Sequence, residues 1–137
     1  MAELKHNTPE QEKDMKLKTL PYDLTVCKLM PRAKADLSAE FFCLTTTDEE
    51  ISLVCRTEQT PAETAAREDG WRAFRIEGVL DFSLTGILSR LSAVLAENGI
   101  GIFAVSTYNT DYILVKAENL GKALNVLREA GYETDNG

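Results

Sequence analysis

Two short stretches of this chain carry groups suited to holding a small zwitterion. Thr85-Gly86-Ile87 stands where a polar loop feeds an apolar periodic run. The amides of a helix start are unpaired there and favour an anion, and Gly86 has no side chain to block its approach. Asp111 follows the polar segment Thr107-Tyr108-Asn109-Thr110 and can accept the hydrogen bonds of an ammonium group. A free amino acid shows both charges close together and needs donors for one and acceptors for the other. Each residue also has a plainer use: Gly86 in close packing of a helix on a sheet, Asp111 as a turn residue.

No stretch is equally suited to covalent chemistry. Cys27, Cys43 and Cys55 lie in apolar runs without a Cys-x-x-Cys spacing, and the single histidine, His6, sits in a polar N-terminal segment. A thiol nucleophile needs an adjacent base, so these read as reduced, buried thiols. Asp48-Glu49-Glu50 reads as a solvated turn rather than a metal site. Trp71 reads as a packing anchor at a strand start. The loop Gly78–Thr85 holds Asp81 and no Arg or Lys, and so lacks the cationic cradle of an acyl-phosphate hydrolase. The expectation is a protein that is not an enzyme, with no cofactor and no metal.

Composition narrows the partners. A net charge of −7 over 137 residues argues against binding to nucleic acid or to an anionic membrane surface, both of which need clustered Lys and Arg. Apolar runs such as Ile100–Val105 are too short to cross a bilayer, and the first residues lack the apolar core of a secretion signal. A cytoplasmic location is expected.

The elements that must position these residues follow from periodicity. Residues 1–14 read as a flexible tail, 15–62 as a strand-rich N-terminal unit, 63–70 as a linker and 71–137 as a C-terminal domain. Strand candidates Met15–Leu20 and Tyr22–Met30 are interrupted at Pro21, and Phe41–Thr46 with Ile51–Arg56 suggests a hairpin. In the second half a strand at Trp71–Val79 precedes a helix carrying Leu84, Ile87, Leu88, Leu91, Val94 and Leu95, with Asp81 or Ser83 as its cap and Asn98-Gly99 as its stop. Ile100–Ser106 and Asp111–Val115 pair across the polar turn, a helix runs from about Asn119 to Ala130, and Tyr132–Thr134 forms a last strand. The order βαββαβ, with one apolar face per helix, predicts an α+β ferredoxin-like fold with both helices on one side of a four-stranded antiparallel sheet. The first half is expected to be a degenerate copy of this unit.

The helix start Leu84–Leu91 and the segment Ile100–Val115 closely resemble an ACT domain. With Thr47–Cys55, the chain resembles small bacterial tandem-ACT proteins related to the CASTOR arginine sensors and to aspartokinase regulatory domains. That resemblance implies a regulatory protein that binds an amino acid at an interface between ACT units. By position it implicates Ser83, Leu84, Thr85, Gly86 and Ile87 at the helix start, and Ser106, Thr107, Tyr108, Asn109, Thr110 and Asp111 in the turn. It departs at Leu84, where the arginine sensors carry an acidic residue, so it does not extend to the choice of a cationic ligand. The expected partners are an amino acid and either a second copy of the chain or another protein. The alternatives are an interaction module without a ligand and a small acylphosphatase-like hydrolase.

Overall fold

Apolar residues alternate in the strands and recur every three or four residues in the helices, and the computed structural model, which describes residues 16–35, 38–77 and 86–135, follows that division. The strands are β1 (Lys16–Thr19), β2 (Leu24–Leu29), β3 (Phe42–Thr46), β4 (Ile51–Arg56), β5 (Thr64–Glu77), β6 (Phe103–Ser106), β7 (Asp111–Lys116) and β8 (Glu133–Thr134). The helices are α1 (Ile87–Glu97) and α2 (Leu120–Glu129). The chain divides into two units, one holding Tyr22–Trp71 and the other the residues before and after that stretch. β5 crosses the boundary, so its first half belongs to one unit and its second half to the other.

In the unit that ends the chain the strand order is β6-β7-β5-β1-β8. Leu17, Phe74, Ile76, Ile113 and Val115 line one face of this mixed sheet and form a single core with Leu91 and Leu95 of α1 and Leu124 and Leu127 of α2. The placement of both helices on one face is therefore as expected from their single apolar stripes. The sheet itself is not the expected one of four antiparallel strands. β1 pairs with β5, setting Leu17 opposite Ile76 and Thr19 opposite Phe74, and β8 pairs with β1 in the parallel sense. The alternation of buried Leu17 and Thr19 with exposed Lys16 and Lys18 marks β1 as a strand. It does not name the partner, which lies more than fifty residues away.

In the Tyr22–Trp71 unit the order is β3-β4-β2-β5, all antiparallel. Cys27, Leu29, Leu53 and Cys55 form its core, with Ala33, Phe42 and Ile51 packed against them. The three cysteines are free thiols. The linker expected at 63–70 is instead largely the first half of β5, which pairs with β2 through Thr64, Ala66, Arg67 and Glu68. Its exposed, polar side chains read as solvated sequence, while the pairing is made by backbone groups that composition does not report. Register slips between Leu24 and Val26, where Gly70 adopts φ +83°, which marks a β-bulge.

The two hairpins repeat one design. β4 and β7 share the same burial sequence of two half-buried, three buried and one half-buried residue. Each runs into a 3₁₀ turn, Thr57–Gln59 or Ala117–Asn119, through an extended residue with matching dihedrals: φ −61° and ψ 139° at Arg56, φ −59° and ψ 141° at Lys116. The Tyr22–Trp71 unit thus repeats the hairpin and 3₁₀ turn of the other unit, with no α-helix among its described residues.

Candidate functional site

α1 starts on Gly86, whose φ of +81° only glycine adopts without strain, and no side chain caps it. The Gly86 carbonyl accepts the Arg90 amide at 2.9 Å. Ile87 is buried, so only its backbone is offered at the helix start. Ser83, Leu84 and Thr85 lie outside the described residues. The Arg90 guanidinium lies over Gly86, with Nη1 2.9 Å from where a Cβ would stand. Arg90 was not singled out in the sequence, although the signal existed: helical side chains lean toward the N-terminus and a residue four positions on covers the helix start.

The structure brings Ser106–Asp111 together in one tight turn. Ser106 and Asp111 are opposite one another at the ends of β6 and β7. The Thr107 amide donates to the Thr110 carbonyl at 2.8 Å, and its hydroxyl donates to the same oxygen at 3.0 Å while accepting the Thr110 amide at 3.3 Å. The Thr110 hydroxyl donates to the Ile76 carbonyl at 2.6 Å, which ties the turn to the end of β5, the strand leading toward α1. Thr107 and Thr110 are therefore committed to building the turn. Thr47 closes the equivalent turn of the first unit in the same way, its hydroxyl accepting the Glu49 and Glu50 amides at 3.1 Å each. That accounts for the acidic run Asp48-Glu49-Glu50 as an exposed turn.

Chemistry remains at the other turn positions. Asp111 is half-buried, and its carboxylate makes no hydrogen bond or ion pair among the described residues. Ser106, Asn109 and Tyr108 are exposed, Tyr108 by 94%. The turn thus carries a carboxylate and the hydroxyls of Ser106 and Tyr108, and the helix start carries backbone amides with no side-chain cap. Elsewhere, burial pushes the Cys27 and Cys55 thiols up from their usual range, which holds them protonated. No group of three or more His, Cys, Asp or Glu side chains among the described residues is placed to hold a metal ion. No helix among them is long and apolar enough to cross a membrane.

Comparison with known proteins bears on the family and the fold. The family model of the ACT domain matches residues 66–129. The protein Atu0741 from Agobacterium tumefaciens is 32% identical, with a TM-score of 0.79 over 88% of this chain and 92% of that one. The cytosolic arginine sensor for mTORC1 subunit 1 of Homo sapiens is 31% identical over 98 residues, 66% of this chain, and the chain spans 30% of that sensor's length. The ligand-free regulatory subunit of aspartate kinase from Thermus thermophilus, 10% identical, has the same fold, with a TM-score of 0.57 over 83% of this chain and 95% of its own. These similarities identify the chain as an ACT-domain protein, with the domain match at residues 66–129, a sequence likeness to the arginine sensor and the fold of the aspartate kinase regulatory subunit.

Proposed function

We propose that this protein is a non-catalytic regulator that binds a free amino acid at the start of α1 and the Ser106–Asp111 turn. The carrying observation is the half-buried Asp111 carboxylate, unpaired among the described residues, in a turn whose threonines are already committed. Asp111 takes the ligand ammonium, and the α1 amides beside Arg90 take its carboxylate. Support comes from the names of the relatives, one an arginine sensor and another an aspartate kinase regulatory subunit. The protein is proposed to act in the cytoplasm, as a homodimer or with a partner protein. Binding alters output only as far as the ligand prefers one assembly or conformation over another.

A thermal-shift screen of the ligand-stripped protein against the twenty amino acids tests this. One amino acid, or a small group, at a hundredfold excess over its Kd is expected to stabilise by about 2.7 kcal/mol. Asp111→Ala is expected to abolish that response while leaving the unliganded midpoint unchanged. No response from any amino acid removes the reading and leaves an interaction module without a ligand, and an equal response from Asp111→Ala removes the proposed site at Asp111.

A further inference from the structure

Away from that turn, the Tyr22–Trp71 unit has a cleft of about 410 Å³ lined by Tyr22, Asp23, Arg56, Thr57 and Glu58. We propose that it binds a small zwitterion, with the ligand carboxylate on the Arg56 guanidinium and the ligand ammonium on the Asp23 carboxylate. This is a second site, independent of the one at Asp111.

Arg56 is set up for a planar anion. Its guanidinium carbon lies over the Tyr22 ring, 4.9 Å from its centre, which limits the rotamer freedom a ligand would have to freeze. The edge of the guanidinium meets Glu40 and Glu58, with Nη1 3.1 Å from Glu40 Oε2 and Nη2 against Glu58. Those partners are 67% and 63% exposed, whereas the Arg56 side chain is 27% exposed. Ion pairs to such exposed, flexible glutamates contribute little, so a ligand carboxylate can replace one of them at small cost and pair in bidentate fashion. Asp23 supplies the complementary charge. Its backbone carbonyl accepts the Thr57 amide at 3.0 Å, which fixes its position beside the 3₁₀ turn. Its carboxylate has no hydrogen bond or ion pair among the described residues. Thr57 is also anchored, its hydroxyl lying 2.9 Å from that of Thr25. One guanidinium among three carboxylates makes the cleft negative overall, so a ligand with an ammonium is favoured and a simple anion is not. The equivalent 3₁₀ turn of the second unit carries Lys116 and Ala117 in place of Arg56 and Thr57, so the site is particular to the first unit.

The test is a titration of the full chain with alanine, N-acetylalanine and alaninamide, followed through the backbone amide NMR signals of Tyr22, Asp23, Thr57 and Glu58. Alanine is expected to shift these signals saturably, and the two derivatives, each lacking one charge, are expected to bind at least about tenfold more weakly. Asp23→Asn, at an exposed position with no side-chain bond to lose, is expected to weaken alanine about tenfold. Arg56→Lys, which keeps the charge but not the planar fork, is expected to weaken it too. No saturable shift at the four amides overturns the proposal, as does equal binding by N-acetylalanine or an undiminished response in Asp23→Asn. A response confined to Gly86–Arg90 and Ser106–Asp111 and lost in Asp111→Ala also overturns it, while upholding the other site. Loss of the Asp111 response with the Tyr22–Glu58 response intact has the converse meaning.

Discussion

At Gly86 the backbone imposes the residue, while the nearby Arg90 guanidinium, the end of a flexible side chain, can move aside. A methyl group there would be held at φ +81° and would sit 2.9 Å from the Arg90 guanidinium. Gly86→Ala is expected to lose about 1–2 kcal/mol, read as a lower urea midpoint at unchanged m-value; an unchanged midpoint would contradict the left-handed start of α1. The glycine was legible because helix-start glycines can be recognised from local sequence, and Arg90 was legible only by projecting its side chain back one turn. Asp69 shows a residue whose role sequence does not expose. It accepts the Arg67 guanidinium at 2.9 Å and the hydroxyl of the fully buried Thr25 at 2.6 Å, and these bonds hold its carboxyl below the usual carboxylate range. With a folded pKa below the unfolded one, its contribution is complete above the unfolded value, about 3.9, and is lost as pH falls through the folded value. Urea midpoints measured from pH 5 down to about pH 2.5 are expected to fall more steeply for the wild type than for Asp69→Asn, and parallel curves would remove Asp69 from the acid response.

At the scale of elements, α1 is held by one stripe. Leu91 and Leu95 are fully buried, while Ser89 is exposed. Leu91→Ala is expected to cost about 2–5 kcal/mol and Ser89→Ala less than about 0.5 kcal/mol, both read by chemical denaturation; a small loss at Leu91 would mean that the helix is not packed as described. The two hairpins were legible because each shows a strand-length apolar run on either side of four polar residues, and in each a threonine hydroxyl closes the turn by accepting an amide three residues on. The first half of β5 was not legible. Its Arg67, Glu68 and Asp69 are exposed, so no hydrophobic alternation distinguishes a paired strand from a solvated connection.

At the scale of the whole molecule, the decisive feature is that the C-terminal unit takes a strand from the other end of the chain. Leu17, 1% exposed, packs in the core with Phe74, Ile76 and Leu127, although the Tyr22–Trp71 unit is inserted between them in sequence. Leu17→Ala is therefore expected to cost about 3 kcal/mol and to raise the hydrogen-exchange rates of residues 74–77 about a hundredfold. Protection that is unchanged at 74–77 would refute the pairing of β1 with β5. The turn closure by Thr107 and the helix stripes are written in the order of residues, because periodicity, turn chemistry and capping act over a few positions. The sequence by itself thus determined both helices and the strands other than the first half of β5, and which positions bring an anion-favouring helix start and a turn carboxylate into one half of the chain. Only the tertiary structure decided that β1 lies between β5 and β8, that Arg90 covers Gly86, and that Arg56 lies over the Tyr22 ring beside Asp23. Those choices depend on backbone pairing, which every residue type can make, and on burial between positions far apart in the chain.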